Sequence, residues 1–324
     1  MNRRRHIVLA GLGLAGLPLA GTALAQGKPM RIVVGFPAGG SSDALARLLA
    51  EALRTRIDAP VLVENRAGAG GRLGIEAVKA AEADGSVMLI TPNPMITMYP
   101  HLYKRLAYDP QKDLVPVGRL ATFPLFIGVG PSVPASVKNI KDLMQWFKAN
   151  PDKAFYGTPG PGSTPHFIGM MLGKAAGVPL THAAYKGDAP AIQDLLGGQI
   201  AMSVNTPAAQ LPHVPGGRLR VLATTGAQRS PQLPDVPTLV ESGFNIVTRD
   251  WFGAFVPAAT PAPVVQRLQA QVREALNTKE VQDGLAKLQL QANFAPPQEF
   301  ARLIREDTEQ WGPVIRESGF TPDD

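Results

Sequence analysis

Residues 31–54 read RIVVGFPAGGSSDALARLLAEALR. The first five are β-rich and short enough for a buried strand. Residues 36–40, FPAGG, cannot continue it, because Pro37 has no N–H to donate and the paired glycines admit backbone angles that other residues avoid. Ser42 or Asp43 can then cap a helix whose apolar positions Leu45, Leu48, Leu49 and Leu53 recur at helical spacing. Such a turn aims free backbone N–H groups and the positive end of a helix at one point, which suits an anion.

The rest of the chain repeats this grammar. After the opening unit, residues 60–64 read as a strand, the glycine-rich run 65–74 leads into a helix over 75–81, and residues 86–90 form a third strand. Strands alternating with helices predict a parallel α/β sheet, with ligands bound off the strand ends. Residues 114–120 and 125–129 read as strands leaving this unit, and a helix follows over 138–149. A strand at 154–156 ends in GTPGPGSTPH, residues 157–166, where Ser163 or Thr164 can cap the next helix and Pro165 fits its first turn. Further strands read at 180–184, 200–204 and 219–223, and the segments 261–277, 280–288 and 298–317 read as largely helical. The middle unit is thus inserted in the first. Two crossings, near residues 120–126 and 223–228, would permit a hinge.

Composition limits the function. A length of 324 residues favours two domains, and 45% hydrophobic residues can fill their cores. The net charge of +6 includes Arg3, Arg4 and Arg5; without them 29 basic groups face 26 acidic ones, or +3. No basic stripe with interleaved aromatics is present, which argues against nucleic acid. Cysteine is absent, so no disulfide, thiolate nucleophile or Cys-ligated zinc is available. Residues 1–25 read as a cleaved export segment: a basic start, an apolar stretch too short to span a membrane, and Ala23-Leu24-Ala25 as the cleavage site. Arg4-Arg5 also fits a twin-arginine pattern, beside an ordinary Sec reading. No Cys at the cleavage site offers a lipid anchor, so the mature protein is expected in the periplasm.

Each motif has a plainer reading. The two glycine turns could be ordinary strand-to-helix connections, but one in each proposed lobe points to a ligand held between them. Hydroxyls and N–H groups suit a carboxylate. GAGGRLG, residues 68–74, fails the dinucleotide fingerprint at Leu73 and follows the second strand. His166 beside Ser163 could suggest a nucleophile and base, but no G-x-S-x-G elbow is present. Asp43 reads as first-turn dipole pairing before catalysis, and Trp251 and Phe252 read as core aromatics or a cleft wall. The five histidines lack metal-ligand spacing, so neither metal nor cofactor is expected.

Seven stretches together resemble the Bug-type periplasmic receptors of tripartite tricarboxylate transporters. They are GFPAGGSSDALARLLAEAL, VLVENRAGAGGRLGIEAV, LYKRLAYDPQKDLVPV, YGTPGPGSTPH, AAYKGDAPAIQDLLGGQI, LPHVPGGRLRVLATTGAQRSPQLPDVPTLVESGF and DWFGAFVPAATPAPVVQRL. The resemblance implies a two-lobed, class II periplasmic-binding-protein-like α/β fold that hinges shut on a small carboxylate. Residues 26–122 with 226–324 would form one lobe and 123–225 the other. It nominates Ala38, Gly39, Ser41, Ser42 and Asp43 on one side of the cleft, and Gly160, Gly162, Ser163, Thr164 and His166 on the other, with Lys186 at the border. Where relatives often carry an acid, this chain has Asn205, which reads against an amino acid ligand. The implied function is a monomeric, non-enzymatic receptor that delivers a carboxylate to membrane transporter components. A sensor-only module and an exported hydrolase using Ser163 and His166 are the alternatives.

Overall fold

The computed structural model describes residues 28–322, so the export segment read at residues 1–25 lies outside the described residues. Two sheets organise the chain. The first contains β1 (Met30–Val34), β2 (Val61–Asn65), β3 (Val87–Pro92) and β4 (Leu114–Phe123). The second is built from β5 (Phe126–Val129), β6 (Phe155–Thr158), β7 (Thr181–Ala184), β8 (Met202–Asn205) and β9 (Arg220–Thr224). The chain then returns to the first sheet through β10 (Asp250–Pro257) and β11 (Gln291–Ala295). The sheet orders are β11-β4-β10-β3-β1-β2 and β7-β6-β8-β5-β9.

β1 is buried on both faces. Ile32 and Val34 enter one hydrophobic core, and Val33 enters the other. This alternation is what a strand covered by helices on both sides requires. The helix Ser41–Leu53 packs Leu45, Leu49 and Leu53, all fully buried, onto the first of these cores.

The sheets are mixed, where the sequence predicts parallel ones. β1 is parallel to β2 and β3, and β6 to β7 and β8. The strand that enters each sheet from the other runs against its neighbours: β10 is antiparallel to β3 and β4, and β5 to β8 and β9. The connection explains this, since a strand crossing between units arrives from the end at which the others finish.

The two crossings touch each other. Thr225 donates its N–H to the Leu125 carbonyl at 3.0 Å, and the Leu125 N–H donates to the Thr225 hydroxyl at 2.9 Å. The Thr248 hydroxyl completes the contact at 2.8 Å from that of Thr225.

Two further differences are local. Short helices Pro94–Thr97 and Tyr99–Leu102 follow β3, each with a proline in its first turn. The edge strand β11 lies in a region otherwise read as helical, and it joins β4 through a register shift.

The glycines of residues 68–74 serve packing. An added Cβ on Gly74 would stand 2.7 Å from the Gly35 Cα, and one on Gly35 would stand 2.6 Å from the Gly71 carbonyl oxygen. Helix Arg72–Lys79 therefore lies directly against the end of β1. Among the described residues no helix is long and apolar enough to cross a membrane.

Candidate functional site

The first turn is held by Asp43. Helix Ser41–Leu53 takes Gly40 as its N-cap, with no side-chain capping bond, so neither Ser42 nor Asp43 caps it. Asp43 folds back instead. One carboxylate oxygen accepts from the Gly39 N–H at 3.0 Å and from Arg47 Nε at 2.9 Å. The other accepts from the Asn65 amide at 3.0 Å, and that amide also donates to the Phe36 carbonyl. A φ of +89° at Gly39, a conformation suited to glycine, lets its N–H turn inward to Asp43. Burial pushes the Asp43 carboxyl up, but the Arg47, Gly39 and Asn65 donors outweigh it and hold the group below its ordinary value.

The second turn is held by histidine and hydroxyls. Helix Thr164–Ala176 has Ser163 as N-cap, again without a side-chain capping bond. The Ser163 hydroxyl donates to the Gly160 carbonyl at 2.6 Å, and the Gly162 N–H donates to His166 Nδ1 at 3.1 Å. The His166 ring stacks on His182, with centroids 3.8 Å apart, and His182 Nε2 meets the Thr158 hydroxyl at 2.7 Å. Burial pushes His166 down to about 4. Burial and the neighbouring His166 push His182 down to about 3. Both rings are therefore neutral near pH 7, as an accepting Nδ1 requires.

The two sheets' loops meet through Asp188. Its Oδ2 accepts from the Ser41 N–H at 3.4 Å, the Ser41 hydroxyl at 3.2 Å and the Thr206 hydroxyl at 3.1 Å. The two hydroxyls lie 2.6 Å apart. Residue 188 as a whole is only partly covered, but its carboxyl sits inside this contact. Burial pushes the carboxyl up, and the Ser41 and Thr206 donors oppose that shift.

A cavity lies between these groups. Ala38, Gly40, Ser41 and Ser42 line it from the first turn, and Gly160, Ser163 and Lys186 from the other side. Phe36, Tyr99, Phe123 and Phe252 form apolar walls, and Asp188, Thr206 and Asp250 complete the lining.

Of the residues nominated from sequence, Ala38, Ser41, Ser42, Gly160, Ser163 and Lys186 border this space. Gly39, Asp43, Gly162 and His166 lie behind it and shape the turns. Thr164 is fully buried against Asn93 and Met98. Asn205 is fully buried too; its Oδ1 accepts from the Thr206 N–H at 2.9 Å. Sequence reading passed over Asp188 and Asp250 as cavity residues. The only local sign of Asp188 is an acid opening the helix Asp188–Leu196, and Asp250 merely begins a strand. Among the described residues no group of three or more His, Cys, Asp or Glu side chains could hold a metal ion.

Residues 45–320 match the profile of the tripartite tricarboxylate transporter family receptor, TctC. The chain is 31% identical to the protein BugT of Bordetella pertussis over 324 residues, covering 98% of this chain and 99% of BugT. It is similar in structure to the periplasmic binding protein BugD, with TM-score 0.85, 34% identity, and coverage of 91% and 99% of the two chains. The R. palustris protein Rpa4515, solved with adipate, gives TM-score 0.86 at 30% identity, covering 91% and 98%. The chain belongs to the TctC family of tripartite tricarboxylate transporter receptors.

Proposed function

We propose that this protein is a periplasmic receptor that captures a small carboxylate between two lobes and delivers it to the membrane components of a tripartite tricarboxylate-type transporter. On this reading residues 123–225 are the inserted lobe, and the described residues on either side of them form the other. The observation that carries the reading is the seat of Asp188. The chain's own carboxylate rests on the Ser41 N–H at the start of a long helix, bridging groups from both sheets. A spot that holds one carboxylate by N–H and hydroxyl donors has the chemistry to hold another.

Ser41, Ser42 and the backbone of Ala38 and Gly40 supply one half of the grip; the Gly160–Ser163 turn and Lys186 supply the other. The ligand bridges both halves only when they are together, so binding favours the closed state. A nucleophile–base pair is disfavoured as a reading: the Ser163 hydroxyl and His166 Nδ1 are bonded to Gly160 and Gly162, not to each other.

The test is thermal denaturation of the protein from Gln26 onward against succinate, adipate, citrate, nicotinate, phenylalanine and hydrocinnamate. A ligand at 100 times its dissociation constant adds about 2.7 kcal/mol of stability. A saturable shift with at least one acid is expected. No shift with any carboxylate, after refolding to remove co-purified ligand, would refute the receptor reading.

A further inference from the structure

Three charged side chains face the cavity: Lys186, Asp188 and Asp250. Two acids and one base are a poor lining for a ligand with several carboxylates, because like charges repel strongly where water is excluded. Asp188 has its donors in Ser41 and Thr206. The Thr164, Thr248 and Asn93 side chains surround the Asp250 carboxyl, but they leave one of its oxygens unmet. The residue is 2% exposed, and its Oδ2 has no hydrogen-bond partner among the described residues. β10 places it opposite Phe123 and two residues from Phe252, so the carboxyl sits beside the apolar wall of the cavity.

A buried carboxylate oxygen without a donor is costly, and the cost is relieved by whatever brings a donor to it. Burial pushes the Asp250 carboxyl up to about 6; the Thr164, Thr248 and Asn93 side chains oppose this, and the Asp307 carboxylate adds to it. The group is still mainly ionised at pH 7.5, and therefore an acceptor.

We propose that Asp250 determines the ligand's class by accepting a hydrogen bond from an ammonium, other N–H or hydroxyl group of the solute. The solute is thus a donor-bearing monocarboxylate with an apolar body, in contrast to the adipate of the R. palustris relative. This rests on the receptor reading above and reverses the inference drawn from Asn205. That residue is neutral, as the sequence says, but it does not border the cavity; the acid is supplied from another strand.

The experiment is isothermal titration at pH 7.5 with matched pairs: γ-aminobutyrate against succinate, ε-aminocaproate against adipate, and phenylalanine against hydrocinnamate. In the unmodified protein the donor-bearing member of the best-bound pair should bind at least about tenfold tighter. Asp250→Asn, which removes the charge but keeps a carbonyl acceptor, should cut that preference several-fold for the ammonium-bearing acids while leaving the melting temperature and circular dichroism near those of the parent.

A dicarboxylate, or the donor-free acid, binding the unmodified protein as tightly as its amino partner would overturn the proposal. So would an unchanged ratio in Asp250→Asn, since Asp250 also borders a polar cleft on the hinge side with Arg249 and Asp307, and a merely structural role there would not move ligand preference. If Asp250→Asn does not fold, the ratio in the unmodified protein decides alone. Binding of dicarboxylates only would refute this inference and leave the receptor reading intact. Binding of no carboxylate at all would refute both.

Discussion

Replacing His166 by Asn should make the protein less sensitive to acid. His166 Nδ1 accepts the Gly162 N–H, so the folded state requires the neutral ring. Burial moves its pKa from 6.5 to about 4. The unfolded chain therefore binds a proton that the folded chain refuses between these values. Stability from this group is complete above pH 6.5, drains as pH falls towards about 4, and is flat below that. Between pH 7.5 and 4.5 the wild type should lose about 2–3 kcal/mol through His166 alone.

Asn offers an acceptor near the position of Nδ1 and does not titrate. The assay is urea denaturation at the two pH values for both proteins, compared at equal m-values. Asp188 and Asp250, whose raised carboxyls push stability the other way, are common to both and cancel in the difference. What remains is His166 with its coupling to the stacked His182. Parallel losses in wild type and His166→Asn, within about 0.5 kcal/mol, would refute the assignment of the neutral ring.

Three other outcomes are expected. Gly160→Ala should melt like the parent, since an added Cβ meets nothing within 4 Å, yet it should weaken ligand binding because Gly160 borders the cavity. Gly74→Ala, whose Cβ would lie 2.7 Å from the Gly35 Cα, should cost about 2–4 kcal/mol in denaturant or fail to fold. Asp188→Ala combined with Thr206→Ala removes both the shared acceptor and the direct 2.6 Å hydroxyl contact of Ser41 across the two sheets, so small-angle scattering of the unliganded protein should show a larger radius of gyration. An unchanged radius would mean the lobes stay together without that bridge.

The opening strand, turn and helix were legible because their signals are local: β-branched residues, a proline, two glycines, then leucines at helical spacing. The direction of β10 was not. Val256 and Phe255 look the same in a parallel or an antiparallel strand, and only the return from the second sheet fixes the direction. The true cap is not legible for a related reason. Asp43 has the chemistry of an N-cap, but its partners include Asn65 on β2, a contact that no local pattern announces. Asp188 and Asp250 were hidden by the same distance, since one opens a helix of the second unit and the other returns with β10.

Much of the polar side-chain chemistry in the two turns is directed at the turns themselves. Asp43 holds Gly39, Asn65 holds Phe36, Ser163 holds Gly160, and His166 holds Gly162. These bonds pre-form the backbone, so a ligand meets donors already in place and does not have to order them. The same bonds leave those side chains little capacity to distinguish one acid from another. Discrimination must come from groups that border the cavity without being committed to a turn: Lys186, Asp250 and the aromatic walls. It follows that substitutions behind the turns should weaken all carboxylates together, whereas substitutions at Asp250 or Phe252 should reorder them. A panel measured on His166→Ala, which removes the acceptor of the Gly162 N–H, and on Asp250→Asn side by side separates the two effects. A reordered panel in the first variant, or a uniform loss in the second, would contradict this division of labour.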